Sequence, residues 1–225
     1  MTIQETIKAL EKAGTAQNRK VYTRHGVKEP VFGVSFANLK ALAKKIRTDH
    51  ALAEALWKTG NHDARILATM IADPDELTVG TMNAWVKDLD NYVIADALGG
   101  LVGRTKHARK KADQWAKSKS DYVGQVGWNI VSGMALAGHL GDSAYFREHL
   151  DTIEREIHQR KNRTKHAMNM ALCAIGIGCK GLQEEAIAAA KRIGKVEVDH
   201  GETGCKTPDA AAYIKRAAGR KRVHC

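Results

Sequence analysis

The sequence is short of aromatics, which make up 5% of its residues, and contains three prolines. Its apolar residues are mostly Ala, Leu, Val and Ile, in stretches without the period-two alternation of a half-buried strand, so helices are expected and strands are not. No apolar run approaches the ~18 residues that a membrane-spanning helix needs. At the N-terminus Ile3, Ile7 and Leu10 recur every three to four residues among Glu5, Lys8, Glu11 and Lys12. That is an amphipathic helix, whereas a secretory signal needs an uninterrupted apolar segment. The expectation is a soluble cytoplasmic chain.

Cysteine is scarce as well. Cys173, Cys179, Cys205 and Cys225 form no Cys-x-x-Cys pair and no disulfide framework. Asp199, His200, Glu202 and Cys205 do lie close together in VEVDHGETGCKTPD. Structural zinc prefers better-separated pairs of soft ligands, so the run reads as a hydrogen-bonded loop before the last helix, and no metal or cofactor is expected.

Basic residues are in excess: 36 Lys and Arg against 25 Asp and Glu leave a formal charge of +11. An excess of this size points to a polyanion partner, above all nucleic acid, with a merely solvated basic surface as the alternative. Charge speaks to affinity and says nothing of a reaction.

The informative pattern is internal repetition. Trp57, Trp85 and Trp115 each close an amphipathic segment, and each is followed by a polar break and a helix rich in small residues: HDARILATMIAD, NYVIADALGGLVG and SDYVGQVGWNIVSGMALAG. NRTKHAMNMALCAIGIG is a fourth such helix. Paired helices recurring at roughly 30–45 residues mark an α-solenoid, in which a unit buries its apolar face only against its neighbours. The three Trp residues are then repeat core. Helix starts are read at Ser35, at Asp73-Pro74-Asp75-Glu76 and at Thr207-Pro208-Asp209, from a capping side chain or a cap followed by Pro. The expected architecture is all-α: one HEAT-like-repeat domain over residues 1–225, curved, with a basic concave face and a basic C-terminal end at 215–225 made by Lys215, Arg216, Arg220, Lys221 and Arg222.

The second helices of the repeats carry polar strips. One strip holds Tyr92, Asp96, Gly99 and Gly103; the next holds Tyr122, Gln125, Asn129 and Ser132; a third holds Arg163, His166, Asn169, Cys173 and Gly176. Each Gly costs a helix interior about 1 kcal/mol relative to Ala, so something must approach the backbone closely: a ligand, or a neighbouring helix. Basic groups gather near helix starts, one with Arg104, Lys106, Arg109, Lys110 and Lys111 and another with Arg160, Lys161, Arg163 and Lys165. Cations there oppose the helix dipole, and a phosphate backbone crossing the helix ends would compensate them.

In the order and spacing of these features, from Tyr22 to Leu39 with its Phe32-Gly33-Val34-Ser35 turn, through the helix around Asp96 and along the array, the chain resembles the HEAT-like-repeat DNA alkylation repair proteins, the AlkD-type alkylpurine DNA glycosylases. The resemblance implies excision of cationic N3- or N7-alkylated purines from double-stranded DNA without a flipping pocket. The cationic base is already a good leaving group, and one carboxylate suffices to stabilise an oxocarbenium-like sugar. Asp96 falls at the family's catalytic Asp. Tyr92 stands where the family carries Trp, keeping an aromatic face with a weaker cation–π surface. An expected Arg aligns with Val126, and an expected Trp and Arg align with Met170 and Cys173.

Three readings follow. The first is a monomeric DNA repair protein acting through Asp96, with Tyr92, Lys106, Arg109, Lys110, Gln125, Asn129, Arg163, Lys165, His166 and Asn169 on the DNA. The second is a non-catalytic relative that binds nucleic acid through backbone shape and charge, favoured by the missing aromatics. The third is a protein-binding scaffold. In the last two Asp96 simply pairs with a neighbouring cation or reaches solvent.

Overall fold

The computed structural model describes residues 1–138 and 143–221. Among these there are thirteen α-helices and no strand, only an isolated bridge between Gly14 and Val34. None of the described helices is long and apolar enough to cross a membrane.

Two compact units are present. The first comprises residues 1–107 with residues 200–204. It holds α1 (Ile3–Ala13), α2 (Ala16–Arg24), α3 (Phe36–Ile46), α4 (His50–Lys58), α5 (His62–Ile71), α6 (Val79–Lys87) and α7 (Tyr92–Val102). Each of these helices begins on a residue whose short side chain replaces a missing intrahelical acceptor: Thr2, Thr15, Ser35, Asp49, Asn61, Thr78 and Asn91. Such caps are worth about 1 kcal/mol each. Ser35 caps α3 as read from the sequence. The start expected at Asp73 does not form: Asp73 closes a single turn by accepting from the Asp75 amide (2.9 Å), Leu77 is drawn into the core, and Thr78 starts α6 instead.

The core of this unit is set by the repeat aromatics. Trp57 and Trp85 are 2% and 5% exposed, near the C-terminal ends of α4 and α6, and their rings stack in parallel 4.2 Å apart. The Trp57 indole N–H donates to Asp88 (2.9 Å), so its one polar atom is satisfied. One buried carboxylate ties the helices to the preceding loop. Asp63, in the first turn of α5, accepts from the amides of Phe32 (2.7 Å), Gly33 (3.1 Å) and Val34 (2.8 Å). The turn requires Gly33, which has φ +79° and would place a Cβ 2.6 Å from the Thr15 carbonyl oxygen.

The second unit comprises residues 108–199 and the segment from Cys205 onward. Its helices are α8 (Ala108–Trp115), α9 (Asp121–Leu136), α10 (Ser143–Glu156), α11 (Asn162–Gly178), α12 (Gln183–Ile193) and α13 (Ala210–Lys221). Trp115 is buried at the end of α8, matching Trp57 and Trp85. The glycines of α9 and α11 mark helix–helix approach. A Cβ at Gly127 would lie 2.1 Å from the Ala116 amide nitrogen, one at Gly178 2.0 Å from the Ala135 carbonyl oxygen, and one at Gly176 2.7 Å from Ile214. Asp121 repeats the role of Asp63: from the first turn of α9 it accepts from the Arg163 (3.1 Å) and Thr164 (2.7 Å) amides at the start of α11. The last helix starts later than its Pro suggests, since Asp209 rather than Thr207 accepts from the Ala212 amide (2.8 Å). In the C-terminal end Lys215 and Arg216 are exposed, whereas Arg222 and the side chains of Arg220 and Lys221 lie outside the described residues.

Candidate nucleic-acid interface

In the first unit the candidate residues converge on α7. Asn91 fixes its start: the side-chain oxygen accepts from the Val93 and Ile94 amides (3.1 Å each), while Nδ2 donates to Asp90 (2.7 Å) and lies 3.4 Å from Nδ1 of His62. One residue on, Tyr92 is half-buried and its hydroxyl hydrogen-bonds Nδ1 of His25. Asp96 follows one turn later on the exposed side of the helix, and beyond it Gly100 has no atom within 4 Å of a notional Cβ. The open face is therefore Tyr92, Asp96 and Gly100. Gly99, read from the sequence as part of this strip, is buried.

Behind this face lies a polar-aromatic layer. Tyr22 packs on His62 with ring centroids 5.4 Å apart, and its hydroxyl donates to the Val34 carbonyl. Burial pushes the His62 imidazole below its ordinary pKa, against the raising influence of Asp63 and Asp90, and it sits neutral beneath the site. Burial and then the Asp63 charge push the Tyr22 phenol up. Sequence reasoning missed His25 and His62 because neither shares a helix with Asp96. They come from the end of α2 and the start of α5, and no periodicity links them.

The basic groups are divided by their surroundings. Lys106 and Lys110 are exposed, as are Lys117 and Lys119, and among the described residues none of the four makes an ion pair. Arg109 is exposed and rests its guanidinium 4.3 Å from the centroid of the Tyr145 ring. Lys111 turns inward: it is buried, donates to Gln114 (3.2 Å) and sits 5.0 Å from the Trp115 ring centroid, and burial followed by the neighbouring Lys110 charge pushes its pKa down. Arg160 is structural, donating to the Ala116 and Ser118 carbonyls (2.7 Å each) where α8 ends.

The polar strips of the second unit are largely occupied by the protein itself. Gln125 is buried and Asn129 half-buried. On α11, Asn162 clamps Asp199 through two backbone hydrogen bonds (2.6 and 2.8 Å), Nδ1 of His166 lies 3.3 Å from the Thr207 hydroxyl, and Asn169, 1% exposed, donates to the Pro208 carbonyl (3.1 Å). Farther along, Ile214 of α13 covers Gly176. The strip read as facing a partner thus holds Asp199, Thr207, Pro208 and α13, while Arg163 and Lys165 stay half-exposed at its edge. At this helix start the Asp121 carboxylate accepts from the backbone amides and so places an acid beside these cations. Val126 and Cys173 are buried and Met170 half-buried, so the positions aligned with the resemblance's missing Arg and Trp residues present no clamp. Burial pushes the Cys173 thiol, aided by the Asp209 charge, up to about 12.

An uncharacterized protein of Listeria innocua is 29% identical over 220 residues, 95% of each chain, and one of Listeria monocytogenes is 28% identical over the same share. A solved structure covers 99% of this chain and 96% of its own at 31% identity and a TM-score of 0.88; it represents proteins related to the HEAT-like repeat DNA glycosylases with affinity for branched DNA structures. Residues 3–214 match the DNA alkylation repair enzyme family, and with that match over nearly the whole chain and a helical structure to go with it, the chain belongs to that family.

Proposed function

We propose that this protein binds branched DNA through its phosphate backbone, reading junction geometry rather than base sequence. The observation that carries this reading is the set of exposed lysines at 106, 110, 117 and 119, which make no ion pair among the described residues, while of the residues that the resemblance implies for excision only Asp96 and an aromatic at Tyr92 remain. Unpaired lysines on a chain of charge +11 supply sequence-independent affinity. The relative with 31% identity and affinity for branched DNA supports the choice of DNA form. The test compares a four-way junction with a linear duplex of equal length and composition in a fluorescence-anisotropy titration. The junction binds tighter at every salt concentration, and replacing Lys106, Arg109 and Lys110 with Ala lowers the magnitude of the log K against log[salt] slope by about 3 if each neutralises one phosphate. Equal affinity for the two forms, or a slope unchanged by the substitutions, defeats the proposal.

A second reading, excision of cationic alkylpurines, is favoured by one observation: Asp96 stands exposed between Tyr92 and the open space at Gly100. Its test is release of base from duplex DNA containing N7-methylguanine or N3-methyladenine. Loss of a carboxylate that acts in the transition state costs rate rather than affinity, so Asp96→Asn binds normally and releases base roughly 10²-fold more slowly. Equal release by both proteins removes Asp96 from the chemistry.

A further inference from the structure

The second unit contains a cleft of about 620 Å³ between α8 and α10, floored by Trp128 of α9. That volume is in the range that accepts a ligand of roughly nucleotide size. Trp128 is 1% exposed, and its indole N–H has no acceptor among the described residues. A buried donor left unsatisfied is costly and uncommon, and this one belongs to a side chain that lines the cleft. Beside it, His149 stands edge-on to Trp128 with ring centroids 5.5 Å apart. Its Nδ1 faces the Tyr145 carbonyl at 2.8 Å and must donate there, which leaves Nε2 as the acceptor of a neutral imidazole. Burial favours that neutral form, since it pushes the His149 pKa down.

Trp128 and His149 thus bring one unsatisfied donor and one acceptor to the lining of a single cleft, a pairing that a heterocyclic base edge with an acceptor next to an amino group would satisfy. The wall bears out the preference for a flat group. The planar guanidinium of Arg109 lies over the Tyr145 ring at 4.3 Å, so this wall already holds one flat group. Lys117 at the same cleft is exposed and makes no ion pair among the described residues, so it can meet a phosphate, and Asp113 and Glu148 can accept from sugar hydroxyls.

We propose that this cleft is a mononucleotide-binding site, separate from the α7 face, that takes a phosphorylated nucleoside either free or as the terminal nucleotide of a DNA strand. The inference shares Lys117 and Arg109 with the branched-DNA reading but turns on Trp128 and His149, and its test needs no branched DNA, so either can fail without the other.

The Trp128 indole N–H resonance, assigned by its disappearance in Trp128→Phe, reports directly on the floor of the cleft. In ¹⁵N-indole-labelled protein, titration with 5′-AMP shifts this resonance saturably. Adenosine binds about tenfold more weakly, and Lys117→Ala loses the same factor for 5′-AMP and nothing for adenosine, as one charge-assisted contact requires. Because Lys117 is exposed, that variant folds even if Trp128→Phe does not. A 5′-phosphorylated oligonucleotide compared with its 5′-capped counterpart then separates the sources: a shift with 5′-AMP alone assigns a free nucleotide, and a shift with the phosphorylated strand but not the capped one assigns a strand terminus. An indole resonance unmoved by 5′-AMP and by the phosphorylated strand means that resident water satisfies Trp128, and overturns the proposal. Inorganic phosphate acting as strongly as 5′-AMP, or full affinity for 5′-AMP in Lys117→Ala, overturns it as well.

Discussion

Asp63→Ala tests the claim that a single buried carboxylate fastens the first unit. Asp63 is fully buried and its two oxygens take three amide donors, from Phe32, Gly33 and Val34. Removing it strands those amides. A stranded buried donor costs about 1–3 kcal/mol. Phe32 is half-exposed, so water can recover its amide, whereas Gly33 and Val34 are buried and their amides cannot be recovered without opening the turn. The expected loss is therefore about 3–5 kcal/mol, a large part of the roughly 5–15 kcal/mol that holds a domain together. For a chain of this size that corresponds to about 10 °C in Tm.

Asp63→Asn sharpens the test. It keeps the shape, but one oxygen becomes an NH₂ group that faces amide donors, so it should fall well below wild type and close to Asp63→Ala. Asp49→Ala, which removes an ordinary N-cap on α4, sets the scale at about 1 kcal/mol. Thermal melts followed by circular dichroism, with urea titrations for ΔG, make the comparison. If Asp63→Asn melts within 2–3 °C of wild type, equivalent to only about 1 kcal/mol, the carboxylate is not the fastening and the assignment fails. The consequence reaches the site, because the Val34 carbonyl accepts from Tyr22, which packs on His62 behind α7.

Gly127→Ala should destabilise, by about 1–3 kcal/mol in a urea titration, even though Ala is the better helix former by about 1 kcal/mol, because its Cβ collides with the end of α8; a stabilised variant would refute the close approach. His62 and His149 are both pushed below their ordinary pKa of 6.5 by burial, so the unfolded chain binds more protons than the folded one once the pH drops below that value. Stability is then full above about pH 6.5 and declines on acidification toward the folded-state pKa values, and His62→Gln should flatten part of that decline in Tm measured from pH 7.5 to 5.5. Among the described thiols, Cys205 is exposed while Cys173 and Cys179 are buried with raised pKa values, so mass mapping after brief alkylation of the native protein at pH 8 should find Cys205 modified and the other two protected.

The sequence carries the helical repeats plainly because their signals are local. Trp57, Trp85 and Trp115 sit at one recurring place, and apolar residues at a period of three to four define the buried faces. Cap positions are less secure, as several capping side chains can stand within a few residues. At 73–78 both Asp73 and Thr78 qualify, and the burial of Leu77 decides between them. What local pattern cannot supply is what covers a polar face. Asn162, His166 and Asn169 make a polar strip on α11 whether a partner or a distant part of the chain lies over it, and here Asp199, Thr207 and Pro208 arrive from more than thirty residues away to satisfy them.

Acids in the first turn of a helix invite the same misreading. By sequence, Asp63 and Asp121 look like ordinary complements to the dipoles of α5 and α9. In the structure each reaches out of its own helix and satisfies backbone amides elsewhere in its unit, those of Phe32, Gly33 and Val34 in one case and of Arg163 and Thr164 in the other. The equivalent place before α7 is taken by Asn91, which caps its own helix and reaches His62. Two acids at recurring positions are thus accounted for by architecture. Asp96 lies outside that pattern, past the first turn and on the exposed side of α7, where an acid is not needed to start the helix. Its place one turn after Tyr92 on the exposed side of α7 is the physical reason to substitute Asp96 when binding and excision are to be separated.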